Sequence, residues 1–121
     1  MKVKVIYNSK IPAMLSIFIN IGAITLYPYI IYRKKEEEIP EDTKRHEMIH
    51  IIQQKELWVI GFYILYVFYW LKNLLRGQSS DIAYYNIPFE IEAYKNQNDL
   101  EYLKSRPKNA WKQYIKDTLI S

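Results

Sequence analysis

The sequence predicts an α+β fold in a single domain over residues 1–121: a small antiparallel or mixed sheet with an edge strand, packed on three main helices. Three observations predict it. At 121 residues the chain can bury one core but not two, and half of it is apolar, far from the composition of a disordered chain. Alternating and β-branched segments lie before residue 33, and helix-start chemistry followed by long helical runs lies after it.

The elements follow in order. "MKVKVIYNSK", residues 1–10, alternates Val3, Val5 and Tyr7 with Lys2, Lys4 and Ile6, so it reads as a first strand rather than a secretory signal. The expected location is therefore cytoplasmic. From Ile11 to Tyr32 no residue is charged, a length that would suit a transmembrane helix. Pro12, Asn20, Gly22, Thr25 and Pro28 argue against one, and "AITLYPYIIY" is dominated by β-branched and aromatic side chains. A short buried helix or strand over about 12–20 and a strand over about 23–32 are expected. Pro28 has no N–H for a ladder, which places that strand at a sheet edge or a bulge.

"KKEEEIPED" is a charged connector that ends in Pro40, Glu41 and Asp42, with Asp42 or Thr43 as N-cap of a helix carrying "RHEMIHIIQQ". "ELWVIGFYILYVFYWLKNLL", residues 56–75, is apolar on every face, so it is a core helix or a membrane-associated one, with Gly61 as the expected break before it. Residues 76–81 read as a loop. Asn86 and Pro88 open a third helix reaching about Lys104, and a short amphipathic helix over about 108–119 closes the chain.

The chain has no cysteine, which excludes disulfides, thiolate metal sites and cysteine nucleophiles. Its net charge of +4 owes much to "KSRPKNAWKQYIK", a run that reads as a solvated helix face, so no nucleic-acid partner is expected.

Its only two histidines are His46 and His50. On a helix they are separated by about 40° of rotation and present both imidazoles to one point. Glu47 projects beside that point, where it can hold a water and take its proton. Met48, Ile49, Ile51 and Ile52 surround the pair with apolar surface, so the imidazoles should be partly buried and in need of partners. A catalytic zinc needs three protein ligands and one open position, and with no third histidine the last ligand must be a carboxylate. "NIPFEIEAY" offers Glu90 and Glu92, two residues apart on a helix and so pointing apart. Gln53 and Gln54 read as backbone partners outside the site.

H-E-x-x-H followed by "EIEAY" resembles the gluzincin branch of the zincin metallopeptidases, whose ligand glutamate often lies in E-x-x-A-D. Glu90 falls at the ligand position, Ala93 at the alanine, and Tyr94 replaces the aspartate that commonly supports a ligand histidine. "HEMIHIIQQKEL" with "IPFEIEAY" is also similar to a group of small bacterial and phage-type predicted metallopeptidases that share an "ITL-P" strand before the motif. The resemblance covers roughly residues 23–95 and implies a minimal zincin-like fold with Zn²⁺ on His46, His50 and Glu90. It also implies Glu47 as general base, and a peptide or protein substrate laid along "AITLYPYIIY" as an added strand. Tyr94 or Glu92 would stand in for the missing aspartate. Tyr84, Tyr85, Tyr94 and Arg106 are candidates to assist the oxyanion, though a structural role suits each of them better. The competing readings are a structural or interaction protein that keeps such a fold without turnover, and a small membrane-associated protein.

Overall fold

A computed structural model describes residues 3–10 and 23–115, which hold five α-helices and a three-stranded mixed sheet. The expected element over about 12–20, and the chain beyond residue 115, lie outside the described residues. Strand β1 (Lys4–Ile6) runs parallel to β3 (Tyr29–Tyr32), and β2 (Ala23–Leu26) pairs antiparallel with β3 on its other side, giving the order β1-β3-β2. The single strand expected over 23–32 is thus a tight hairpin. Pro28, which cannot donate to a ladder, sits in the two-residue turn between Leu26 and Tyr29, where no ladder bond is needed, and its peptide bond with Tyr27 is cis. Among the described residues β2 and β1 lie at the edges, while β3 is central and buries Ile30 and Tyr32.

Helix α1 (Glu41–Glu56) is capped two residues before the first expected cap, Asp42, with Pro40 at the N-cap and Glu41 and Asp42 against the positive end of its dipole. It has no single apolar stripe because it touches structure on several sides. Ile51 and Met48 pack on Ile30 and Tyr32 of the sheet, and Ile49 packs on Ala93 and Tyr102.

The break after α1 falls before Gly61. The N–H of Val59 donates to Gln54 O (2.7 Å) and that of Trp58 to Lys55 O (3.4 Å), the two bonds of a Schellman cap, with Trp58 at φ 60° where glycine is usual. Val59 follows at φ 61° and ψ −60°, closed by Ile60 N–H donating to Trp58 O (2.6 Å), a γ-turn of the strained hand. Helix α2 (Ile60–Leu75) leaves at 112° to α1. Its inner face carries Phe62, packed with Ile87, Phe89 and Trp111, whereas Ile60, Ile64, Val67, Phe68, Leu71 and Leu75 on the outer face are exposed.

The expected loop at 76–81 yields early to α3 (Ser80–Tyr85), because the Ser79 hydroxyl caps the Ile82 N–H. Helix α4 (Pro88–Asn96) starts on proline as expected but stops at Asn96 instead of near Lys104, and a separate turn, α5 (Tyr102–Ser105), follows. In place of a closing amphipathic helix the described chain has a 3₁₀ segment, Ala110–Tyr114, whose Trp111 packs on Phe89.

Candidate metal centre

Helices α1 and α4 cross so that one turn of each supplies the site. His46 Nε2 and His50 Nε2 are 3.1 Å apart, and each is 3.1 Å from Glu90 Oε1. All three residues are buried. The resulting triangle matches a tetrahedral ion, whose ~2.1 Å bonds hold ligand atoms about 3.4 Å apart.

The outer atoms of the same side chains show what the inner ones must be. Gln53 Nε2 donates to Phe89 O (3.1 Å) and Glu92 Oε1 (3.0 Å), which fixes its amide so that Oε1 faces His50 Nδ1 at 2.7 Å. An amide oxygen only accepts, so His50 carries its proton on Nδ1 and aims the Nε2 lone pair inward. Gln97 Oε1, 2.8 Å from His46 Nδ1, sets the same tautomer there. Glu90 Oε2 accepts from the Tyr66 hydroxyl (2.7 Å), leaving Oε1 for the centre. Three lone pairs therefore converge within 3.1 Å of one another, an arrangement that repels itself unless a cation or a proton lies between them.

The electrostatics agree. Burial lowers the pKa of His50, but the carboxylate of Glu90, through charge and hydrogen bond, overrides it and with Glu47 and Gln53 lifts the value to about 9. Burial alone would raise the pKa of Glu90; the charge of His50 and the contacts of its carboxylate with the two imidazoles instead bring it below the ordinary carboxylate range. Without a metal, a proton shared by this pair does the work of the cation.

Glu47 stands outside the triangle, half-buried, and accepts a hydrogen bond from the Thr25 hydroxyl on β2. Gln54, seven residues further along α1 and so on the same face as Glu47, clamps the hairpin to the helix. It accepts from Tyr27 N–H (2.6 Å) and donates to Thr25 O (2.7 Å), to which the Tyr63 hydroxyl also donates. Of the stretch expected to offer a peptide an edge, only β2 lies at an edge of the described sheet, β3 being central, and the Thr25 carbonyl on β2 is already engaged by side chains.

Of the two candidate carboxylates, Glu90 enters the triangle and Glu92 turns away. Glu92 is completely buried: Oε2 accepts from Arg106 Nε (2.6 Å) and the Tyr102 hydroxyl (2.8 Å), and Oε1 from Arg106 and Gln53. Arg106 continues to both oxygens of Glu56 at 2.9 and 3.0 Å. A connected path therefore runs from His50 through Gln53 to Glu92, Arg106 and Glu56. This corrects three expectations: Arg106 belongs to a buried ion cluster rather than a solvated face, Gln53 is part of the site, and Glu92 reaches a histidine only through Gln53. Tyr94 packs its ring on His46 at 4.4 Å, while its hydroxyl pairs with that of Tyr84 (3.0 Å) instead of with an imidazole nitrogen. The outer nitrogens of His50 and His46 are met by Gln53 and Gln97. Tyr85 packs on Tyr94.

Sequence reasoning missed three site residues. Gln53 had a signal, its i+3 position on the face of His50. Gln97, seven residues after Glu90, had a weaker one. Tyr66 had none, lying in a run of aromatic residues with nothing to distinguish it.

Compared with known proteins, the chain matches no family model, no curated protein and no solved structure.

Proposed function

We propose that this chain is a small zinc-dependent metallopeptidase of zincin-like build, with Zn²⁺ on His46, His50 and Glu90 and with Glu47 as general base. One observation carries the reading: a triangle of three inward lone pairs, with a carboxylate on the next helical position that is held out of it. A structural metal site has no use for that carboxylate.

Zinc bound there would supply the Lewis acidity that makes water nucleophilic near neutral pH and polarises a scissile carbonyl. The chain's residues supply the rest. Tyr66 restrains Glu90 to one donor oxygen, which leaves a fourth position for the reacting groups. Thr25 occupies Oε2 of Glu47 and leaves Oε1 to accept a proton from water and return it to the leaving amine. An extended substrate would pair along β2 through the groups that Gln54 and Tyr63 do not already fill.

The test combines metal analysis with turnover. Protein purified without a histidine tag should hold about one zinc per chain, lost in His46→Ala and in Glu90→Ala. Glu47→Gln should keep the metal and lower kcat on a peptide mixture by about 10²–10⁴-fold. A wild-type protein that takes up no zinc on reconstitution, or a Glu47→Gln variant that cleaves like wild type, would overturn the proposal.

A further inference from the structure

As far as Leu71, helix α2 carries apolar and aromatic side chains around its circumference, yet the described residues cover only one side of it. Ile60, Ile64, Val67, Phe68, Leu71 and Leu75 recur at helical spacing on the opposite side, with Leu75 89% and Ile64 64% exposed. The strained turn before α2 extends this face. It holds Trp58 88% exposed in a left-handed conformation that glycine would adopt without strain, so an indole is placed in solvent where the backbone favours no side chain. Charge on this stretch has one sign: from Leu57 to Ser80 the sequence has Lys72 and Arg76 and no acidic residue.

We propose that the outer face of α2, with Trp58 at one end and Lys72 and Arg76 at the other, seats the protein on an anionic lipid surface. The helix has 16 residues and a length of about 24 Å, shorter than the ~30 Å hydrocarbon layer, and among the described residues no single helix is long and apolar enough to cross a membrane. It lies in the plane of the interface, its outer side chains among the acyl chains, its indole at headgroup level and its two cations against lipid phosphates. The charge pattern selects lipid over a second copy of the chain. Two α2 faces brought together would bury four cations without a carboxylate from either stretch, whereas anionic headgroups supply the counter-charge. The inference is independent of turnover at the metal centre.

Flotation with vesicles of phosphatidylcholine, alone or mixed with phosphatidylserine, tests it. Wild-type protein should float with the mixed vesicles, on the order of tenfold more tightly than with the neutral ones. Ile64→Asp/Phe68→Asp should remove binding to both, with the far-ultraviolet circular dichroism of the folded protein retained. Lys72→Gln/Arg76→Gln, which leaves the apolar face intact, should remove the preference for phosphatidylserine. Wild-type protein that floats with neither vesicle would overturn the proposal. So would a lipid-free dimer abolished by Ile64→Asp/Phe68→Asp, which would assign the face to a second copy.

Discussion

Gln53 does more at this site than its position in the sequence announces. It fixes the proton of His50 on the outer nitrogen and is itself fixed by Glu92 and the Phe89 carbonyl. Gln53→Leu should therefore weaken zinc affinity by about 10–100-fold, measured by competition with a chelating dye, without removing any ligand. The raised pKa of His50 gives the metal-free and metal-loaded proteins opposite dependences on pH. A histidine at about 9 when folded and 6.5 when unfolded stabilises the metal-free protein fully below about 6.5, and that stability is lost as pH rises through about 9. Zinc must displace the same proton, so its affinity should weaken as pH falls below about 9. Melting curves of chelated protein should accordingly show Tm falling across this window, and titrations of zinc should show binding tightening across it. His46, Glu47 and His50 were legible in the sequence because helix geometry alone brings them together. Gln97 and Tyr66 were not, because only the docking of α4 and α2 on α1 brings them within reach.

Among the elements, the motif helix and the proline start of α4 were legible because they rest on local chemistry. The hairpin was not, because ten residues of strand-forming side chains disguise a turn that needs only Pro28 and its neighbour. The bend between α1 and α2 was misread for a related reason. Glycine marks the expected place, and the chain turns instead at Trp58 and Val59 through capping bonds that no residue type announces. Gly61 is then an ordinary helical position, where an added Cβ would meet Leu57 Cβ at 3.6 Å, a normal contact. Gly61→Ala should stabilise the protein by about 0.5–1 kcal/mol, read as a higher urea midpoint. The end of α4 at Asn96 has a tertiary purpose, since the chain must turn there for Arg106 to return to Glu92 and Glu56. Arg106→Leu removes the ionic partner of the fully buried Glu92, and should cost about 3–5 kcal/mol in chemical denaturation.

At the scale of the whole molecule, the site adds a tie that depends on an ion to the packing of Ile49 on Ala93 and the Glu92–Arg106–Glu56 cluster, which already hold α1 and α4 together. His46 and Glu90 are separated by 44 positions, and in a sequence without cysteine no covalent bond can close that loop. An ion held by both is a reversible cross-link. A permanent bond across a loop of this size would lower the entropy of the unfolded chain by about 4 kcal/mol, and a tightly bound ion contributes in the same sense because the unfolded chain cannot assemble its ligands. Chelation should therefore lower the urea midpoint of wild-type protein and of Glu47→Gln alike, because Glu47 is not one of the three donors. On the proposed function, the ion that would arm the catalyst would also be the clasp that closes it, so a cell that withdraws the metal would both silence the protein and open it to proteolysis.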